Sequence, residues 1–175
     1  MLVSSSRQSS KPRAASKPKS DTLMSSVPEQ TVNVTIRNEI ADLSSVTEAV
    51  DRVGAEAEIP AKTVMQLQVV LDEVLSNVIK YAWPDGGTHE FYVRINVRNG
   101  GIVITITDDG RPFNPLDQPP PTTPAGGGRP LPGGLGIHMV RQLVDSIEYV
   151  RFDGRNQVTL TKRYGLEPPS RPGGE

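Results

Sequence analysis

Residues 60–84, PAKTVMQLQVVLDEVLSNVIKYAWP, decide how the chain folds. Val64, Leu67, Val70, Leu71, Val74, Leu75 and Val78 recur at helical spacing and make one continuous apolar stripe. Pro60 stands where a helix can begin, and Trp83-Pro84 ends it, because proline cannot continue the hydrogen-bond ladder. The spacing predicts a long amphipathic helix laid on a core. At about 100° per residue, Glu73, Asn77 and Lys80 fall within a narrow arc at the border of its stripe. A carboxylate, an amide and an ammonium are thus presented together. Glu73 can orient or deprotonate a nucleophile, Asn77 can lend its carbonyl oxygen to Mg²⁺, and Lys80 can meet phosphate as a point charge. The same three residues also make an ordinary polar helix edge with a favourable Glu-to-Lys order, so their neighbours must decide.

Upstream, Thr31-Val-Asn-Val-Thr-Ile36 alternates apolar and polar residues and predicts a half-buried strand. Leu43, Val46, Val50 and Val53 follow at helical spacing, with Asp42 as the expected N-cap of a first helix. Downstream, Phe91, Val93, Ile95 and Val97 alternate, Asn99-Gly100-Gly101 turns, and Ile102 to Thr107 returns, so a hairpin follows the long helix. A third helix pattern runs from Gly134 to Asp145. Two short strands, near Ile147 to Phe152 and Val158 to Lys162, close around a turn at Asp153-Gly154-Arg155-Asn156. Strands joined largely by hairpins, with helices between them, imply an α+β fold: a two-layer sandwich with helices on one face of a mixed, mostly antiparallel sheet.

Two further polar signals flank the second hairpin strand. Asp108-Asp109-Gly110 ends it, and Asp-Gly is turn chemistry; a carboxylate at the end of a buried strand also needs a partner, which the exocyclic amine of adenine would supply. Gly110 would let the ring approach the backbone. Residues 133–137, Gly-Gly-Leu-Gly-Ile, open the third helix pattern and are either a flexible hinge or a cradle whose amides receive phosphate. They lack the Gly-Lys-Ser/Thr of a P-loop and the third glycine of a dinucleotide fingerprint. Between the two signals, Arg111 to Pro132 is a loop of about 20 residues rich in proline and glycine, a length that marks function or disorder. Taken in order, the pieces supply what a magnesium-dependent ATP site needs.

Composition limits the alternatives. With 175 residues, 35% hydrophobic and 22% charged, the chain suits one globular domain with unfolded ends. The boundaries fall at 1–26, a basic Ser/Lys/Pro tail; 27–164, the folded domain; and 165–175, a second tail. The absence of cysteine excludes a disulfide framework and thiolate metal sites and agrees with the cytoplasm. No apolar run reaches the roughly 20 residues that span a bilayer, so no membrane partner is expected. Residues 1–26 hold Arg7, Lys11, Arg13, Lys17 and Lys19 against Asp21 alone, which leaves the rest of a chain of net charge -1 at about -5. That part has no basic stripe, which argues against nucleic acid. His89 and His138 read as surface residues, and Tyr81 and Trp83 as packing at the helix end.

The order of motifs resembles a family. Glu73-x3-Asn77 matches the N box, Asp108-x-Gly110 the first glycine box and Gly133-x-x-Gly136 the second glycine box of the GHKL ATPases, over about Val32 to Lys162. The compact size, the helix pair before Asn77 and the stretch Asp-Asp-Gly-Arg-Pro-Phe-Asn-Pro look like the anti-sigma-factor serine/threonine kinases of the RsbW type. The resemblance implies the Bergerat ATP-binding sandwich, with ATP under a lid at about 111–132, Glu73 as general base, Asn77 as Mg²⁺ ligand and Asp108 as adenine reader. Residues 133–137 and Lys80 would then lie on the nucleotide, and Arg129 is the lid's candidate phosphate contact by charge. It further implies phosphorylation of an anti-sigma-factor antagonist of STAS type in a partner switch that involves a sigma factor or another regulator, and a homodimer. A nucleotide-gated partner-binding module without transferase activity is the second reading.

Overall fold

The computed structural model describes residues 29–117 and 135–165. Strand β1 (Gln30–Arg37) leads through a short 3-10 turn (Ile40–Asp42) into helix α1 (Leu43–Glu56) and then α2 (Ala61–Tyr81). Strands β2 (Glu90–Arg98) and β3 (Gly101–Asp108) form the expected hairpin. A 3-10 turn at Pro115–Asp117 follows, then α3 (Leu135–Leu143) and the hairpin of β4 (Ser146–Phe152) and β5 (Arg155–Arg163). Asn99 and Gly100 between β2 and β3 both take positive φ, 51° and 69°, the pairing that matches a tight turn to strand twist.

The strand order is β1-β2-β3-β5-β4, and every pairing is antiparallel, where the sequence reading expected a mixed sheet. The last hairpin is the reason. Its second strand, not its first, docks on β3 and runs against it, placing Asp108 opposite Asn156.

Alternation does the rest. Ile36, Phe91, Val93, Ile95, Val97, Ile102, Ile104, Ile106, Val158 and Leu160 all face inward and are buried. They meet Val46, Val50 and Val53 of α1, Leu67, Val70, Leu71, Val74 and Leu75 of α2 and Val140 of α3 in one core. The α2 stripe lies where its spacing put it. Among the described residues no helix is long and apolar enough to cross a membrane.

Two local readings change. Asp42 does not cap α1: its backbone is already helical, and its carboxylate accepts from the Arg37 amide (3.1 Å) and guanidinium (3.1 and 3.2 Å). These bonds hold its carboxyl below the ordinary carboxylate range and tie the end of β1 to α1. His89 is half-buried rather than free at the surface. Its ring stacks on Trp83 with centroids 4.9 Å apart, and its Nε2 lies 3.0 Å from both carboxylate oxygens of Asp85. His138 is exposed, as expected, with its Nε2 3.1 Å from Gln142 Nε2. Tyr81 stays 46% exposed, 6.5 Å from the Phe113 ring.

Candidate active site

The last inward-facing position of β3 is a carboxylate. Asp108 is 6% exposed, and burial pushes its carboxyl above the usual range. Opposing bonds hold it: its Oδ1 accepts from the Gly110 amide (2.9 Å) and from Asn156 Nδ2 (2.7 Å). Its Oδ2 takes no hydrogen bond from the described residues. Gly110 has a structural reason to be glycine. A Cβ there would sit 2.5 Å from Ala82 Cβ and 2.7 Å from the Ala82 carbonyl oxygen, which itself accepts from the Arg111 amide (2.9 Å). The end of β3 is thus pressed against the end of α2, whether or not a ring approaches.

Asn156 is the residue that sequence reading missed. It was read as part of a turn, yet it lies in β5 and is 3% exposed. Asn156, Val158 and Leu160 are buried in alternation, and that period-two pattern, extended one step upstream, was the signal available. Its Nδ2 also donates to the Arg111 carbonyl (2.9 Å). Its Oδ1 accepts from the Tyr149 hydroxyl (2.9 Å) and Arg151 Nη1 (2.6 Å). Together Asp108, Asn156, Asn77, Tyr81, Phe113 and Ile137 line a narrow pocket floored by Val74, Val78 and Val158. Its free space is about 20 Å³, room for about one water, so a purine ring enters only as its walls separate.

On the α2 edge, Glu73 and Asn77 are half-buried and bonded one turn apart, Asn77 Nδ2 donating to Glu73 Oε1 at 3.0 Å. This turns the carbonyl oxygen of Asn77 into the uncommitted end of the amide. Against the pair sits the start of α3. A Cβ on Gly136 would come 1.8 Å from Glu73 Cδ, so only glycine lets the helix begin there with the carboxylate in place. The N-box glutamate and the second glycine box therefore meet directly. Mg²⁺ commonly takes one or two protein oxygens with phosphate and water, and the free carbonyl of Asn77 beside a carboxylate fits that donor set.

Of the remaining expected residues that are described, Ile137 lies at the pocket and Lys80 does not. Lys80 is exposed and donates no hydrogen bond and makes no ion pair among the described residues. Ile137 is buried in the pocket wall. Leu135 begins α3. Arg129, Gly133 and Gly134, with most of the expected lid and both tails, lie outside the described residues. A wider concavity of about 540 Å³ on the outer sheet face, lined by residues such as Asn33, Arg94, Thr105 and Gln157, contains none of these groups.

The helix-layered antiparallel sheet thus carries a buried aspartate at a strand end and a carboxamide-bearing helix against a glycine-started helix. The chain belongs to the histidine kinase-like ATPase domain family, whose model matches residues 36–162. It is a GHKL-type ATPase domain. The chain is similar to the serine/threonine-protein kinase BtrW of Bordetella bronchiseptica, 26% identical over 101 residues that cover 58% of this chain and 71% of that protein. Among solved structures it resembles the RsbU and RsbW domains of Rv1364c from Mycobacterium tuberculosis, with a TM-score of 0.54 and 15% identity. That alignment covers 77% of this chain and 32% of the other, so the chain spans about a third of that structure's length. The histidine kinase domain of a blue-light activated histidine kinase from Erythrobacter litoralis aligns at a TM-score of 0.46 and 21% identity, covering 71% of this chain and 60% of that one.

Proposed function

We propose that the chain is an ATP-dependent serine/threonine protein kinase of the anti-sigma-factor type, acting on a STAS-type antagonist protein. The observation that carries this reading is the Glu73 carboxylate, held by Asn77 and seated against the first turn of α3 beside the pocket of Asp108. A site that only binds nucleotide has no need of a base at its phosphate end.

In this reading Asp108 Oδ2 accepts from the adenine amine, and the apolar walls exclude water from the ring. Asn77 offers its carbonyl oxygen to Mg²⁺, which when bound neutralises charge on the phosphate oxygens. A partner's seryl or threonyl oxygen attacks the γ-phosphorus while Glu73 takes the hydroxyl proton. The new O–P bond forms as the β–γ bridging bond breaks, and ADP departs. Lys80, Arg129 and residues 133–136 are proposed phosphate contacts, and a sigma factor or similar regulator competes for the same protein. Two copies pair through β1, an edge strand bonded to β2 alone, and the adjoining α1.

The second reading is a nucleotide-gated partner-binding module without transferase activity. Incubation with labelled ATP, Mg²⁺ and candidate antagonists decides between the two. Label on a partner serine or threonine supports the kinase, and ATP binding without transfer to any partner supports the module.

A further inference from the structure

All four hydrogen-bonding positions of the Asn156 amide are filled. Two donors, Tyr149 Oη and Arg151 Nη1, reach its oxygen, while its nitrogen serves Asp108 Oδ1 and the Arg111 carbonyl. Arg151 Nη1 also donates to the Gly110 carbonyl (3.1 Å), clamping the residue that follows the aspartates. A guanidinium can only donate, so the amide oxygen must face Arg151 and the amide nitrogen must face Asp108. The orientation is therefore imposed from β4, across β5, onto the end of β3. Rotation of the amide would set its nitrogen against a cation and its oxygen against a carboxylate.

We infer that Arg151, through Asn156, is a positioning residue that commits Asp108 to be an acceptor and so selects an aminopurine over an oxopurine. The inference rests on the reading of this pocket as a nucleotide site. With Oδ1 occupied by two donors, Oδ2 is the oxygen left for a ligand. An exocyclic amine satisfies it, whereas the carbonyl of an oxopurine meets a carboxylate oxygen and leaves both unpaired, a mismatch that a polar site rejects strongly. Without the cation behind Asn156 the amide can turn, its oxygen then opposes Asp108, and the carboxyl is free to rotate or take up a proton and donate. Asp109 and, from the pocket lining, Arg111 are the other charged groups near Asp108. The pocket residues from α2, α3 and β5 (Val74, Asn77, Val78, Tyr81, Ile137, Asn156 and Val158) carry no charge.

The test compares the affinities of adenosine and inosine triphosphates, with Mg²⁺, for the full chain by calorimetry. Wild type should prefer the adenine nucleotide. In Arg151→Met that preference should fall by roughly tenfold, the scale of one charge-assisted bond, through loss of adenine affinity with inosine affinity level or rising. Arg151→Lys, which keeps a cationic donor, should restore part of the preference. Tyr149→Phe removes one neutral donor and should lower it by about two- to threefold, a variant that perturbs the fold least. Equal weakening toward both nucleotides, or an unchanged preference in Arg151→Met and Tyr149→Phe, overturns the inference and leaves the nucleotide site standing. Wild type that binds neither triphosphate overturns the site reading and this inference together.

Discussion

At the end of β3, both polar atoms of Asn156 carry two bonds each, drawn from two strands and the Arg111 backbone. On the α2 edge, Glu73 and Asn77 share a single bond along one helix, and α3 rests on Glu73 through a glycine. The first region is wired before any ligand arrives; the second is held by contact and can rearrange. Preorganised groups give selectivity, and loosely held ones can change partners during a reaction cycle.

The contrast is broken most severely by Glu73→Gln. It keeps the bond from Asn77 but removes the base, so phosphoryl transfer should fall by roughly 10² to 10⁴-fold while ATP affinity, read by calorimetry, stays within about twofold. Retained transfer would remove Glu73 from the base role. Gly136→Ala should lower transfer by roughly tenfold or more, because the new methyl needs the space of the Glu73 carboxylate, the movable end of a flexible side chain. Its Tm should stay close to that of wild type, since the carboxylate can swing aside and alanine is no worse a helix former than glycine in the first turn of α3.

Gly110→Ala sharpens the comparison from the opposite side. The added methyl meets Ala82 backbone, which cannot swing away, so stability should drop by about 1–3 kcal/mol in denaturant unfolding. One glycine guards chemistry and the other guards packing. Equal stability losses for the two variants would contradict that division.

A gentler effect follows from Asp108. Burial raises its folded pKa above the unfolded value of 3.8, so within that window the folded state binds more proton. Stability from this group is therefore highest in acid and declines as pH rises through the raised value. Asp108→Asn removes that slope: its Tm advantage over wild type should be greatest at neutral pH and shrink on acidification. Asp42 and Asp85, whose carboxyls are lowered, lose their stabilisation in acid in both proteins and cancel from the difference. ATP affinity of wild type should weaken on the same acidification, since reading the amine needs the carboxylate. The smallest effect belongs to Lys80→Ala, at most a fewfold change in ATP affinity, because an exposed ammonium acts through screened solvent.

What could be read beforehand follows the range of each interaction. The α2 stripe, the hairpin around Asn99-Gly100 and the meeting of Glu73 with Asn77 depend on residues close in sequence, and periodicity reports them. The contact of Glu73 with Gly136 and the bond of Asn156 to Asp108 join positions far apart in the chain. The first depends on how α3 packs on α2 and the second on strand order, and no local pattern encodes either. Asn156 was hidden by its neighbours, since Asp153-Gly154-Arg155 has turn composition and the turn did form, ending at Gly154, two residues earlier than expected. Asp42 had the right residue type for a cap, but Arg37 offered its carboxylate a charged partner.

Trp83 is the chain's single tryptophan. Its indole Nε1 donates to Asp109 Oδ1 at 2.9 Å, one residue from the Asp108 carboxylate, and its ring lies flat on His89. The protein thus carries its own optical reporter beside the pocket. Excitation of that indole gives a signal from one defined location, without added dye, and imidazole and carboxylate contacts are both strong modulators of its emission. Stopped-flow mixing with nucleotide can therefore follow the separation of the pocket walls in real time, on the unaltered chain.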